Sequence, residues 1–216
     1  TQYRMIENIG NLISKVFYGG IIDTGCNNDE KRHGLTRYVG KSIVWFDTSA
    51  NKKKSQKRTK GGSYINEEEK RIILEILDDL KKTGELKGLD IGIITGYSGQ
   101  KELLRKSIKA TELDKIASKI DINTLDAFQG RENDIIIYST VRTRDSIGFQ
   151  KEKERVNVAF SRAKKLLIVC GDKNFFYNFD DQDNKFVEII DYISEGEECE
   201  IIQCDGGKLF ERESNS

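Results

Sequence analysis

Two short runs in the second half of this 216-residue chain set glycine and charged side chains where an anion could be met. They are Asn123-Thr-Leu-Asp-Ala-Phe-Gln-Gly-Arg-Glu132 and Arg155-Val-Asn-Val-Ala-Phe-Ser-Arg-Ala163. In the first, the Gln129–Glu132 turn lies just before a nearly continuous apolar run. Two readings are open. It is a plain helix-to-strand turn, with glycine for its φ and its charges in solvent, or it is a ligand edge. In the second case Gly130 lets the backbone come close and Glu132 accepts from a hydroxyl. Arg155, Arg162, Lys164 and Lys165 are placed on the last helix before a central strand. They form either a solvated basic face or a phosphate grip, for which the planar fork of arginine is suited.

Other chemistry is thinly supplied. The single histidine, His33, lies in a polar stretch and reads as a solvated loop residue, since one His makes neither a metal site nor a triad. Cys26, Cys170, Cys199 and Cys204 have no C-x-x-C spacing, so neither zinc nor disulfides are expected. The chain has no G-x-x-x-x-G-K-[ST] loop and no strand-borne Asp-Glu pair to hold Mg²⁺. The lysine-rich stretch 51–62 reads as a solvated, disordered excursion or as a contact for nucleic-acid phosphates. No aromatic residues interleave its lysines, and base stacking would want them.

The elements that must position these residues follow from periodicity. Ile6, Ile9, Leu12, Ile13, Val16 and Phe17 predict a helix over 5–18, stopped by Gly19-Gly20. Asn66 followed by three glutamates predicts a capped helix running through Leu80. Further helices are expected at 98–108, 152–163 and 184–194. Apolar runs predict strands at 42–46, 90–95, 120–123, 134–140 and 165–170, with an edge strand at 200–203. The alternation implies an α/β fold with an open, mostly parallel sheet, whose ligands bind at the carboxyl ends of the strands. A polar, mobile tail is expected from 206 to 216.

The composition is that of a well-solvated globular chain, 37% hydrophobic and 33% charged. Lys plus Arg equals Asp plus Glu at 36 each, so bulk charge points to no partner. No proline is present. No apolar run reaches the ~20 residues of a membrane span, and no signal peptide is seen. A cytoplasmic protein without membrane contact is expected, and the first residue, Thr1, reads as a cut within a longer chain.

Gln2-Tyr3-Arg4-Met5, Ile93-Ile-Thr-Gly-Tyr-Ser-Gly-Gln100, Asn123–Glu132 and Arg155–Ala163 resemble successive motifs of superfamily 1 helicases. The resembled branch includes the RNA-surveillance helicase of nonsense-mediated decay and senataxin. The resemblance covers residues 1–172 in the family's order. It implies that residues 1–205 are the second RecA-like domain of an ATP-dependent helicase or translocase. Arg4 then reaches the γ-phosphate, and Arg162 is the arginine finger. Tyr3 packs on adenine, and Gly130 and Glu132 lie at the ribose. Thr95, Tyr97 and Thr124 hold single-stranded DNA or RNA. ATP and Mg²⁺ are held mainly by a first RecA-like domain of the parent chain, so the isolated fragment is expected to hydrolyse essentially no ATP. Arg155 is read as a structural salt-bridge partner. The sequence departs from the family at Ile6-Glu7, where His-Pro is usual, and at Gly96, where Pro is usual. These departures leave room for a second reading, a degenerate helicase-like binding module for nucleic acid or protein. An unrelated nucleotide-binding α/β domain is disfavoured by the missing phosphate loop and by the lack of an acidic cluster at strand ends.

Overall fold

The computed structural model describes residues 1–26, 28, 32–85, 88–111, 113 and 119–210. In chain order the elements are α1 (Glu7–Tyr18), β1 (Ile43–Asp47), β2 (Lys57–Arg58), β3 (Tyr64–Ile65) and α2 (Glu67–Lys82). They continue with β4 (Asp90–Thr95), α3 (Ser98–Ala110), β5 (Lys119–Thr124), β6 (Asn133–Ser139) and α4 (Lys153–Phe160). Last come β7 (Ala163–Gly171), α5 (Lys173–Tyr177), α6 (Phe186–Glu195) and β8 (Cys199–Gln203).

Apolar runs covered on both faces make the sheet. Its strand order is β5-β4-β6-β7-β1-β8, and every neighbouring pair is parallel. Side chains alternate along each strand, so the inner strands β4, β6, β7 and β1 feed two cores. Val44, Phe46, Ile91, Ile93, Ile135, Ile137 and Ile168 pack under α2 and α3. Ile43, Trp45, Ile94, Ile136, Tyr138 and Val169 pack on the other side, against α1, α4 and α6. Each such side chain contributes on the order of 1.5–3 kcal/mol by leaving water. The fold is therefore α/β, an open parallel sheet with helices on both faces. Among the described residues no helix is long and apolar enough to cross a membrane.

The helices begin and end where their sequences direct. In α1, Ile9, Leu12, Ile13 and Val16 share the buried stripe, and Gly19 at φ 61° returns its N–H to Ser14 O. In α2, the Asn66 side chain accepts from the N–H groups of Glu68 and Glu69.

Two expectations are corrected. The helix expected over 152–163 stops at Phe160, because Asn133 N–H takes the Arg162 carbonyl at 3.1 Å and draws the chain into the sheet. Only Arg155 of the basic set is helical; Arg162 lies in the turn, and Lys164 and Lys165 belong to β7. The lysine-rich stretch is not a loose loop. Asn51 donates to Glu68 at 2.7 Å, and Lys54 pairs with Asp172 at 2.7 Å. Gln56 and Thr143 exchange two hydrogen bonds, and β2 pairs antiparallel with β3. Lys52, Lys53, Lys57, Arg58 and Lys60 stay exposed on this braced hairpin. Of the stretch expected to be a tail, residues 206–210 are described, and the last two make contacts with the domain. Leu209 N–H donates to Glu75, and Phe210 lies edge-on to Phe46 with Arg37 4.1 Å over its ring. Residues 211–216 lie outside the described residues.

Candidate functional site

In a parallel sheet, a residue that precedes a strand and a residue that ends one lie at opposite edges. Glu132 precedes β6 and Arg162 precedes β7, so both stand at the amino edge. Thr95 and Thr124 end β4 and β5, in register with each other, at the carboxyl edge. Six residues of strand separate the two edges by roughly 20 Å. The single ligand wall expected at the carboxyl ends is thus two surfaces.

At the amino edge, three cations surround one carboxylate. Arg4 Nε lies 2.5 Å from Glu132 Oε2, and Lys164 Nζ lies 3.5 Å from Oε1. Arg162 donates through Nε to Val158 O at 3.0 Å and through a terminal nitrogen to Arg131 O at 3.5 Å. Partial burial draws the Glu132 carboxyl upward. The charges of Lys164 and Arg4 more than reverse this and leave it below the usual carboxylate range. Burial, and then the charge of Arg4, pull Arg162 below its ordinary value, while Glu132 acts the other way. Two guanidiniums that repel across a carboxylate form a surface suited to an added anion. The same donor set does not suit a divalent cation. Gly130, at φ 84°, has nothing within 4 Å of where a Cβ would stand, so the turn beside Glu132 is open.

A polar brace sets Arg4 in place. Gln2 Oε1 accepts from the N–H groups of Arg4 and Met5 at 2.9 Å each. Gln2 Nε2 donates to Met5 O and to Thr24 Oγ1. Gly10 makes room for this: a Cβ there would stand 2.3 Å from Thr24 Oγ1 and 2.5 Å from Gln2 Nε2. Tyr3 is 68% exposed, with its ring edge beside Gly25. The Ile6-Glu7 departure is accommodated locally. Ile6 is buried and its N–H bonds Lys164 O, while Glu7 exchanges hydrogen bonds with Asn28.

At the carboxyl edge, Thr124 is half-buried, but Thr95 is fully buried. The Thr95 hydroxyl sits 3.4 Å from Tyr97 N–H, which it accepts from. Tyr97 is also buried, its ring packed on Tyr64 and Phe149. Thr95 and Tyr97 therefore lie beneath the surface that Thr124 reaches. Next to them stands an acid that sequence reasoning missed. Glu69 is fully buried and accepts from Ser139 and Thr140 hydroxyls and from Val141 N–H. Burial raises its carboxyl, those hydrogen bonds lower it again, and it comes to about 7. Val141, bound this way, holds φ at 69°, which for a β-branched residue costs about 1–3 kcal/mol. Only the three acids that open α2 hinted at Glu69, and nothing local said that one would turn inward.

Lys164, one of the basic set, reaches Glu132, and Gln2 of the first motif braces Arg4. Arg155 pairs with Glu152 at 2.6 Å and approaches Asp126 at 3.7 Å, as a salt-bridge partner should. His33 is half-buried, not a freely solvated loop residue. Its Nδ1 accepts from Leu35 N–H and its Nε2 meets Lys41 O at 2.7 Å, and burial lowers its basicity. All four cysteines are free thiols. Among the described residues no group of three or more His, Cys, Asp or Glu is placed to hold a metal ion.

A protein-family description, "AAA domain", matches residues 1–174. The chain is 36% identical over 181 residues to helicase SEN1 of Saccharomyces cerevisiae, covering 79% of this chain and 8% of that protein. It is 32% identical over 179 residues to Regulator of nonsense transcripts 1 of Caenorhabditis elegans, covering 79% and 16%. It is 34% identical over 181 residues to the probable helicase senataxin of Mus musculus, covering 79% and 6%. A solved C-terminal domain of a possible DNA helicase from Lactobacillus plantarum aligns at TM-score 0.46 and 13% identity, over 80% of this chain and 88% of that one. The chain thus spans a small part of the length of its curated relatives. The match over residues 1–174, with these relatives beside it, means that the chain belongs to the AAA domain family, among the superfamily 1 helicases of the senataxin and nonsense-transcript-regulator branch.

Proposed function

We propose that residues 1–205 are the second RecA-like domain of an ATP-dependent helicase or translocase that works on single-stranded DNA or RNA in the cytoplasm. The observation that carries this reading is the amino-edge cluster, in which Arg4, Arg162 and Lys164 crowd around Glu132. Its excess positive charge suits the phosphates of a nucleotide held by a facing domain. In this reading Arg4 leaves Glu132 for the terminal phosphate, and Arg162 stabilises charge that develops in phosphoryl transfer. Glu132, once released, accepts from a ribose hydroxyl beside the open Gly130 turn. The exposed Tyr3 ring packs on the base.

Mg²⁺ belongs to the facing first RecA-like domain of the same parent chain, since the cationic donor set here would repel it. The carboxyl edge takes the strand. Thr124 meets a phosphate there, and the buried Thr95 and Tyr97 shape the backbone beneath it, so that contact positions the strand without reading its sequence.

The test is Arg162→Ala in the full-length protein that carries this chain. Steady-state ATP turnover in the presence of single-stranded nucleic acid should fall by about 10³-fold or more. Turnover near the parent level would show that Arg162 is not the finger.

A further inference from the structure

The carboxyl edge carries a row of three aromatic rings that ends in solvent. Tyr64 of β3 packs edge-on to Tyr97 at 5.6 Å between centroids, and Tyr97 packs on Phe149 at 5.6 Å. Tyr64 and Tyr97 are covered to different degrees, but Phe149 is 46% exposed. A single exposed phenylalanine is ordinary. What sets this one apart is its surroundings. It lies beside Gly96, directly after β4, where a Cβ would stand 3.7 Å from its ring. The guanidinium of Arg155 lies 5.1 Å from its centroid, and that of Arg142 lies 4.2 Å from the Tyr64 centroid. Arg155 reaches Asp126, two residues past Thr124. In the hairpin, Arg58 pairs in register with Tyr64, so one exposed cation stands at the Tyr64 end of the row.

The loop that bears Phe149 is braced. Gln150 is buried, donates to Thr140 O and Ile147 O, and accepts from the Tyr138 hydroxyl. Upstream, Glu69 fixes Val141. A ring held this way loses little freedom when something stacks on it.

We propose that Phe149 is a base-stacking residue, taking one nucleobase of a single-stranded nucleic acid on the exposed part of its ring while Arg58 meets a neighbouring phosphate. The proposal rests on the reading of the carboxyl edge as strand-facing, and it adds a contact to the bases themselves. An aromatic face accepts any base, so the site would favour stacking over sequence.

The experiment measures binding by the full-length protein to a labelled uridine or thymidine homopolymer and to the same backbone without bases. Phe149→Leu should weaken binding of the base-bearing strand about tenfold and leave binding of the abasic strand and the salt slope unchanged. Phe149→Trp should restore affinity, and its fluorescence should change on binding bases but not on binding the abasic backbone. Arg58→Gln should lower the salt slope by about one for both strands. Equal affinity of Phe149→Leu and parent, equal losses on both strands, or a tryptophan at 149 that ignores bases would each overturn the stacking role. A parent protein that binds neither strand would instead remove the strand-facing reading itself, and the inference with it.

Discussion

Glu132, just before β6, and Glu69, on the first turn of α2 against the end of β6, are both glutamates, yet their surroundings give them opposite tasks. Glu132 is well exposed and its partners are surface cations, so its ion pairs contribute about 0–1 kcal/mol at most. Glu132→Gln should therefore leave the unfolding midpoint nearly unchanged while raising the KM for ATP, read by turnover at varied nucleotide; an unchanged KM would remove Glu132 from the nucleotide edge. Glu69 behaves differently because it is buried. Its folded pKa of about 7 stands above the ordinary 4.5, so the folded state keeps a proton that the unfolded chain has released. Stability from this group is then greatest below pH 4.5, falls as pH rises toward 7, and is flat beyond. The loss amounts to roughly 3 kcal/mol. Glu132 and Glu85, whose carboxyls are lowered, slope the other way. Comparing parent with Glu69→Gln isolates the effect: denaturant unfolding across pH 5 to 8 should show a steeper decline in the parent. Parallel curves would mean that Glu69 stays ionised.

The elements depend on a few polar junctions between apolar runs. Asn66 is the clearest. Its side chain caps α2, and its amide donates to Lys54 O and Val141 O. Gln100 accepts from its N–H at 2.8 Å. Asn66→Ala would remove the cap, worth ~1 kcal/mol, and would orphan buried carbonyls at about 1 kcal/mol or more. Thermal unfolding should show a loss of about 2–4 kcal/mol, and a loss under 1 kcal/mol would mean that water or relaxation replaces those bonds.

The cap itself was legible in the order Asn66-Glu-Glu-Glu69, as were the strands, because both are local patterns. What escaped was set by distant partners. The end of α4 depends on Asn133 reaching Arg162, which no window around residue 160 contains. The hairpin depends on Asp172, Thr143 and Glu68, so its lysines alone read as loose. Tyr64 supplies the aromatic partner that the stretch 51–62 lacks, but only once β2 and β3 pair.

At the scale of the whole molecule, motif order put Arg4, Thr95, Gly130, Glu132 and Arg162 in one chain of resemblance but could not show the sheet between them. The strands separate a cationic amino edge from an aromatic, hydroxyl-bearing carboxyl edge, and the proposed functions divide the same way. Groups this far apart, with no shared partner, should act independently in binding; mutations beyond 7–10 Å usually add within a few tenths of a kcal/mol. Arg162→Ala should then lower ATP turnover without changing nucleotide-free affinity for a single strand. Thr124→Ala should weaken that affinity several-fold without changing the KM for ATP at saturating strand. In the double variant the two binding effects should multiply when no nucleotide is present. If ATP analogue is added and the product no longer holds, the departure measures how strongly nucleotide at one edge biases the strand at the other, which is the coupling a motor requires. If nucleotide-free affinity already falls in Arg162→Ala, the amino edge touches the strand directly, and the division of the sheet into two working edges is wrong.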